Sequence, residues 1–183
     1  MNYVFKDAII EYVCGGSAQQ FMSRIGAIMD HYPKRALDSC FTLIGSHDTA
    51  RIINVLSGKD MSGSSKQDRQ WAVLNAAEWD TALRRLKIAT ALQYALPGNP
   101  MVYYGDERGM QGYEDPLNRR AMDWKGGSEE VLAWYKKLGR IRKKYSSVMR
   151  GTTYMHDNPQ LVIFERQARS RSLTVIANTG NQV

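Results

Sequence analysis

The sequence predicts an α/β fold of consecutive strand–helix units, closed by a short antiparallel element. Three observations predict it. Short apolar runs at 1–5, 41–44 and 101–104 are each followed by a longer stretch with helical spacing. The last two runs lead directly into glycine and charged residues, Gly45-Ser46-His47-Asp48 and Gly105-Asp106-Glu107. After residue 151 the pattern changes to apolar–polar alternation, in "LVIFER" and "LTVIAN". The order strand, helix, strand, helix, strand, helix demands parallel strands with right-handed crossovers.

Taken in order, "MNYVF" reads as a short strand, and "KDAIIEYVCGG" as a helix that stops at Gly15-Gly16. A second helix begins at Ser17, where Ser17-Ala18-Gln19-Gln20 fits a capping box and Ala18, Phe21, Met22, Ile25, Ile28 and Met29 keep three-four spacing. Pro33 ends it. "FTLI" (41–44) has the length and side chains of a buried strand, ended by Gly45-Ser46. The polar "SGKDMSGSSKQ" is a loop, and a helical pattern runs from Trp71 to Leu96 with an interruption near Glu78-Trp79-Asp80. Pro97-Gly98-Asn99-Pro100 stops it, and "MVYY" (101–104) is the next strand. Residues 109–127 lack any period, a loop length associated with function. A helix spans 128–148, and "QARSRS" joins the two final strands as a hairpin. The domain boundary falls at Gly151, giving 1–150 and 151–183.

The net charge of +7 raises nucleic-acid binding. Much of it lies at Lys136, Lys137, Arg140, Lys143 and Lys144, interleaved with Trp134, Leu138, Ile141, Tyr145 and Val148. That is an amphipathic helix with a basic solvent face, so no nucleic-acid partner is expected. Cys14 and Cys40 fit neither a disulfide framework nor a metal spacing, and no metal or cofactor is expected. With no run of eighteen apolar residues and no basic-then-apolar leader, neither a membrane span nor a signal peptide is expected. Localisation stays open between the cytoplasm, which is preferred, and export.

Parallel strands place both polar clusters on one rim, at the carboxyl ends, where α/β enzymes build their sites. For His47-Asp48 two readings compete: a cap on the following helix, or a catalytic pair.

Specific motifs bear on that choice. "FTLIGSHDTAR" resembles the segment of the α-amylase family of glycoside hydrolases that closes on a His-Asp pair after the seventh barrel strand. "ALPGNPMVYYGDERGMQGYEDPLNRRAMDW" resembles the eighth-strand segment, with its Gly-x-Pro, Tyr-Tyr-Gly-Asp-Glu and Asp-Pro-x-x-Arg elements. "MNYVFKDAI" is similar to the sixth strand and its helix in the neopullulanase and cyclomaltodextrinase branch. The resemblance implies the last three βα units of a (β/α)8 TIM barrel, followed by the first hairpin of an antiparallel β-domain. It implies a retaining hydrolase of α-1,4 and α-1,6 glucosidic bonds in starch-type glucans, pullulan or cyclodextrins.

By the same resemblance, Asp48 is the transition-state-stabilising carboxylate and His47 orients the bound glucose, while Asp115 and Arg119 lie at the second sugar site. Tyr103, Tyr104, Asp106 and Glu107 are framework. The motifs that carry the family's nucleophile and general acid are absent: Asp7, Glu11, Asp30 and Asp38 precede the His-Asp pair without that context. The chain therefore reads as the carboxyl-terminal part of such a barrel, inactive alone, with an α-glucan oligosaccharide as ligand. Its open sheet is expected to self-associate or pair with the missing amino-terminal barrel part. The alternative is a catalytically inactive α-amylase-like protein that binds sugar or supports a partner.

Overall fold

The chain becomes helical as soon as Asn2 can cap it. In the computed structural model, which describes residues 1–180, the Asn2 side chain accepts a hydrogen bond from Phe5 N at 3.0 Å and helix α1 runs over Tyr3–Val13. The first expected strand is thereby reduced to one residue. Asn2 makes an isolated parallel bridge to Thr42, its N–H donating to Phe41 O at 2.8 Å. Helix α1 buries Phe5, Ala8, Ile9, Tyr12 and Val13, the stripe that a 3.6-residue period requires.

Helix α2 (Ala18–His31) opens with the Ser17/Gln20 capping box and ends where Tyr32, just before Pro33, turns extended. A short helix not read from the sequence, α3 (Lys34–Ser39), leads into β1 (Phe41–Thr42). Next come α4 (Ile52–Ser57), α5 (Lys66–Trp71), α6 (Ala76–Ala95) and β2 (Asn99–Pro100). Two 3-10 turns follow, Asp106–Arg108 and Leu117–Arg119, and then α7 (Glu129–Lys144) and α8 (Ser146–Met149). The chain closes with β3 (Thr152–His156), β4 (Val162–Ala168) and β5 (Arg171–Ala177). Of the helix expected over 71–96, α6 covers 76–95 and only Trp71 belongs to α5, which begins at Lys66 inside the expected loop. Asn75 and Glu78 cap each other's backbone N–H at 2.9 and 2.8 Å, so Glu78 lies in the first turn of α6 and the interruption falls at 72–75.

Residue contacts divide the chain into two compact units. The first comprises Met1–Ile44, Ile88–Met101 and the described part of Lys137–Val183. In it β1 and β2 pair in parallel, with Phe41 opposite Asn99 and Thr42 opposite Pro100. The strand expected at 101–104 lies instead at Asn99–Pro100, inside the Pro-Gly-Asn-Pro segment, and the one expected at 41–44 stops at Thr42. Beyond β2, Met101 N donates to Thr42 O at 2.8 Å, and Gln93, buried against β1, donates to both Thr42 O and Met101 O at 2.9 Å. Gly98, at φ +102°, lets the chain pass close to β1; a Cβ there would lie 2.6 Å from Thr42 Oγ1 and 2.8 Å from Cys40 O.

The expected hairpin is present and forms part of a larger sheet. Strands β3, β4 and β5 form an antiparallel meander in that order, and most of "QARSRS" belongs to β4 and β5. The turn is held to Arg169-Ser170, Arg169 taking φ 55°. β3 was not read from the sequence because none of its residues is fully buried, so it carries no apolar alternation. The inner face of β4 presents Val162, Phe164 and Arg166. Arg166 is wholly buried; it donates to Met149 O and, at 3.4 Å, to Gly151 O, and burial lowers its pKa to about 10. It thus satisfies carbonyls left open at the end of α8. The Tyr12 hydroxyl donates to Ala177 O at 2.9 Å, tying α1 to the meander.

The second unit comprises Gly45–Lys87 and Val102–Lys136. Its interior is organised by a buried charge pair. Arg51 Nη1 lies 3.2 Å from Asp106 Oδ1, with the side chains 1% and 2% exposed. The guanidinium also donates to Tyr104 O and packs against the Tyr103 and Tyr104 rings, 4.3 and 4.6 Å from their centroids. Burial pushes the Asp106 pKa up to about 7, outweighing the opposing pull of Arg51. Among the described residues no helix is long and apolar enough to cross a membrane.

Two outcomes follow for stability. Gly98→Ala should destabilise by about 1–3 kcal/mol from backbone strain alone, with the clash added, whereas Gly26→Ala, with open space around it in α2, should be neutral or gain up to about 1 kcal/mol. Denaturant midpoints of both variants check this. For Asp106 the folded pKa lies above the unfolded value, so its contribution to stability is full below pH ~4 and is lost as pH rises to about 7. The stability advantage of the wild type over Asp106→Asn should therefore narrow across that window and be flat above it. Melting temperatures measured from pH 4 to 9 test this, and a widening gap would contradict it.

Candidate functional site

The second unit also carries all four residues singled out in the sequence. The segment after β1 turns at His47 and Asp48. Ser46 supports the turn, its hydroxyl accepting from Asp48 N at 3.2 Å. Gly45 passes so close to Asp106 that a Cβ would lie 2.2 Å from its Oδ2. The bend before His47 therefore requires glycine, and the turn rests on the buried carboxylate.

His47 Nε2 lies 3.1 Å from Asp48 Oδ1, with both side chains more than half exposed, at 56% and 55%. Helix α4 begins at Ile52 with Arg51, not Asp48, as its N-cap residue. The pair is presented to solvent as an imidazole and a carboxylate held side by side. Such an arrangement can accept and donate hydrogen bonds to hydroxyl groups.

Asp115 and Arg119 sit on the second loop. The Asp115–Pro116 bond is cis, and the 3-10 turn at Leu117–Arg119 follows it. Arg119 Nε is 3.3 Å from Asp115 Oδ1 and donates to His47 O at 3.2 Å. The two sequence-separated pairs are thus joined in one place by a single guanidinium.

Other residues that build the site were not singled out in the sequence. Asn118, fully buried, donates from Nδ2 to His47 O and to Thr49 O, each at 2.8 Å. Asn54 accepts from Gly112 N at 2.8 Å, and Arg51 N donates to Gly112 O at 2.8 Å, docking the start of α4 on the second loop. Gly112 approaches Leu117 O so closely that a Cβ would be 2.4 Å away. The "HDTAR" and "DPLNRR" strings contain Arg51 and Asn118, but a charged or amide side chain in a loop reads as solvated unless its partners are known. The framework expected of Asp106 and Glu107 takes a definite form: Asp106 pairs with Arg51, and Glu107 accepts from Gly105 N at 2.9 Å. Arg108 pairs with Glu129 at 2.7 Å and donates to Gly126 O at 3.1 Å, fixing the start of α7.

Among the described residues no group of three or more His, Cys, Asp or Glu side chains could hold a metal ion.

No protein-family model matches the chain. Curated relatives do. An amylopullulanase from Thermoanaerobacter thermohydrosulfuricus is 35% identical over 156 residues, covering 79% of this chain and 10% of that protein. A cyclomaltodextrinase from Geobacillus thermopakistaniensis is 28% identical over 189 aligned positions, covering 100% of this chain and 28% of the relative. Among solved structures, the type III pullulan hydrolase from Thermococcus kodakarensis superposes with a TM-score of 0.81 at 27% identity, over 98% of this chain and 30% of that one. The chain thus spans between about a tenth and three tenths of the length of the proteins it matches here. The motif-bearing segments and the fold agree with one assignment: the chain belongs to the α-amylase family of glycoside hydrolases and is similar to its neopullulanases and cyclomaltodextrinases.

Proposed function

We propose that this chain supplies part of the sugar-binding and catalytic site of a retaining glycoside hydrolase that cleaves α-1,4 and α-1,6 glucosidic bonds in starch-type glucans, pullulan or cyclodextrins. The observation that carries the reading is the exposed His47–Asp48 pair, joined to Asp115 through Arg119. In this reading residues 1–150 are the last three βα units of a (β/α)8 barrel, and residues 151–183 begin a β-domain, the final three lying outside the described residues.

Retention of configuration requires one carboxylate to attack the anomeric carbon and a second, protonated carboxyl to donate to the leaving oxygen. Both would come from sequence beyond these 183 residues, which hold no motif for either. Asp48 would accept hydrogen bonds from hydroxyls of the sugar at the cleavage point. Those bonds strengthen as the ring flattens toward an oxocarbenium ion, which makes Asp48 a transition-state stabiliser. His47 would donate to a neighbouring hydroxyl and orient the ring. Asp115 and Arg119, with an accepting and a donating group turned to solvent, would hold the next sugar. The names of the relatives support glucan chemistry over the inactive sugar-binding alternative.

The two-stranded β1–β2 sheet would pair, in this reading, with further barrel strands or with a second copy. An isolated chain of 183 residues should release no reducing sugar from maltooligosaccharides or cyclodextrins, and should sediment at micromolar concentration as an associated species. Turnover that Asp48→Asn abolishes, or a cooperative monomer, would refute the respective statement. In a full-length parent enzyme, Asp48→Asn should lower kcat by several orders of magnitude, on the scale of losing a principal transition-state contact. Circular dichroism should show its fold unchanged.

A further inference from the structure

Asn118 is held in an arrangement that costs it a bond of its own. Its Nδ2 donates to His47 O and Thr49 O, the carbonyls on either side of Asp48, while its Oδ1 has no hydrogen-bond partner and the residue is fully buried. Two carbonyl acceptors require an amino group between them, so the orientation of the amide is set by its partners. A buried, unpaired acceptor is unfavourable. The amide therefore satisfies the turn at the expense of its own oxygen.

The two bonds bracket the Asp48 residue. With the carbonyls of His47 and Thr49 tied to one rigid planar group, the peptide units His47–Asp48 and Thr49–Ala50 are held, and the short stretch between them carries Asp48. The direction in which the Asp48 side chain leaves the backbone is thereby restricted from both ends of that stretch. No other side chain among the described residues is seen donating to both carbonyls; Arg119 reaches only His47 O, at 3.2 Å, from a side chain 45% exposed. The 3-10 turn divides the labour between adjacent residues: Asn118 points into the interior, and Arg119 points out toward Asp115.

We propose that Asn118 is a positioning residue that sets the geometry of Asp48 through the backbone of the His47–Thr49 turn, without touching substrate. This rests on the role proposed above for Asp48. Asn118→Asp tests it, because a carboxylate of nearly the same shape cannot donate to either carbonyl and a protonated carboxyl can donate to only one. In a full-length parent enzyme acting on maltotetraose, the variant should lose about 10²-fold in kcat, the scale of a small misplacement of a catalytic group, with KM changed far less.

The decisive readout is a double-mutant cycle with Asp48→Asn. If Asn118 acts through Asp48, the double variant should be no slower than Asp48→Asn alone; a merely structural role would multiply the two losses. Wild-type kcat in Asn118→Asp, or multiplied losses in the double variant, would overturn the proposal while leaving the role of Asp48 intact. Should the aspartate variant fail to accumulate as folded protein, Asn118→Ala enters the same cycle under the same criteria. An Asp48→Asn enzyme of undiminished rate would refute the underlying reading, and the inference with it.

Discussion

Within the second unit, the geometry depends on one buried cation. Arg51 extends from the chain that follows β1 into the turn that follows β2, where it meets the Asp106 carboxylate, the Tyr104 carbonyl and two aromatic faces. A buried charge is tolerable only when paired and hydrogen-bonded, so each of these partners is under constraint. Gly45 must stay a glycine because Asp106 lies against it, and the residues after it must turn outward. The exposed His47–Asp48 pair is therefore the outer side of an arrangement whose inner side is Arg51–Asp106. One of the arginine's nitrogens, Nη2, has no hydrogen-bond partner and relies on the tyrosine rings for its environment.

The two loops are fastened to each other three further times, by Asn118 to the His47–Thr49 turn, by Arg119 to His47, and by Asn54 and Arg51 to Gly112. All of these use a backbone group on at least one side. The fastening is therefore insensitive to which residues line the surface, provided that the chain path is kept. The site can vary at its exposed positions and still keep its shape, as expected of function carried by loops on a fixed scaffold.

The features legible in the sequence were those decided locally. Ser17, Gln20 and Pro33 fix helix α2 because a capping box and a proline act within a few residues. The parallel relation of the two strand segments followed from the helix between them. What was not legible was decided at a distance. The segment after β2 is held by the side chain of Gln93, which donates to Thr42 O on one side and Met101 O on the other. Strand β3 presents no buried stripe of its own and is a strand because Val162–Ala168 lies beside it. Of the site, His47, Asp48, Asp115 and Arg119 stood out through motif resemblance. Arg51, Asn54 and Asn118 did not, since their burial comes from a loop more than fifty positions away in the chain.

The bond from Tyr12 to Ala177 joins residues 165 positions apart, and each unit is assembled from separated lengths of chain. During synthesis the first helix leaves the ribosome long before its partner strand exists. Its Tyr12 hydroxyl can reach the Ala177 carbonyl only once β5 has been made. A contact of such separation closes a long loop, so it carries an ordering cost that the local packing of α1 on α2 does not.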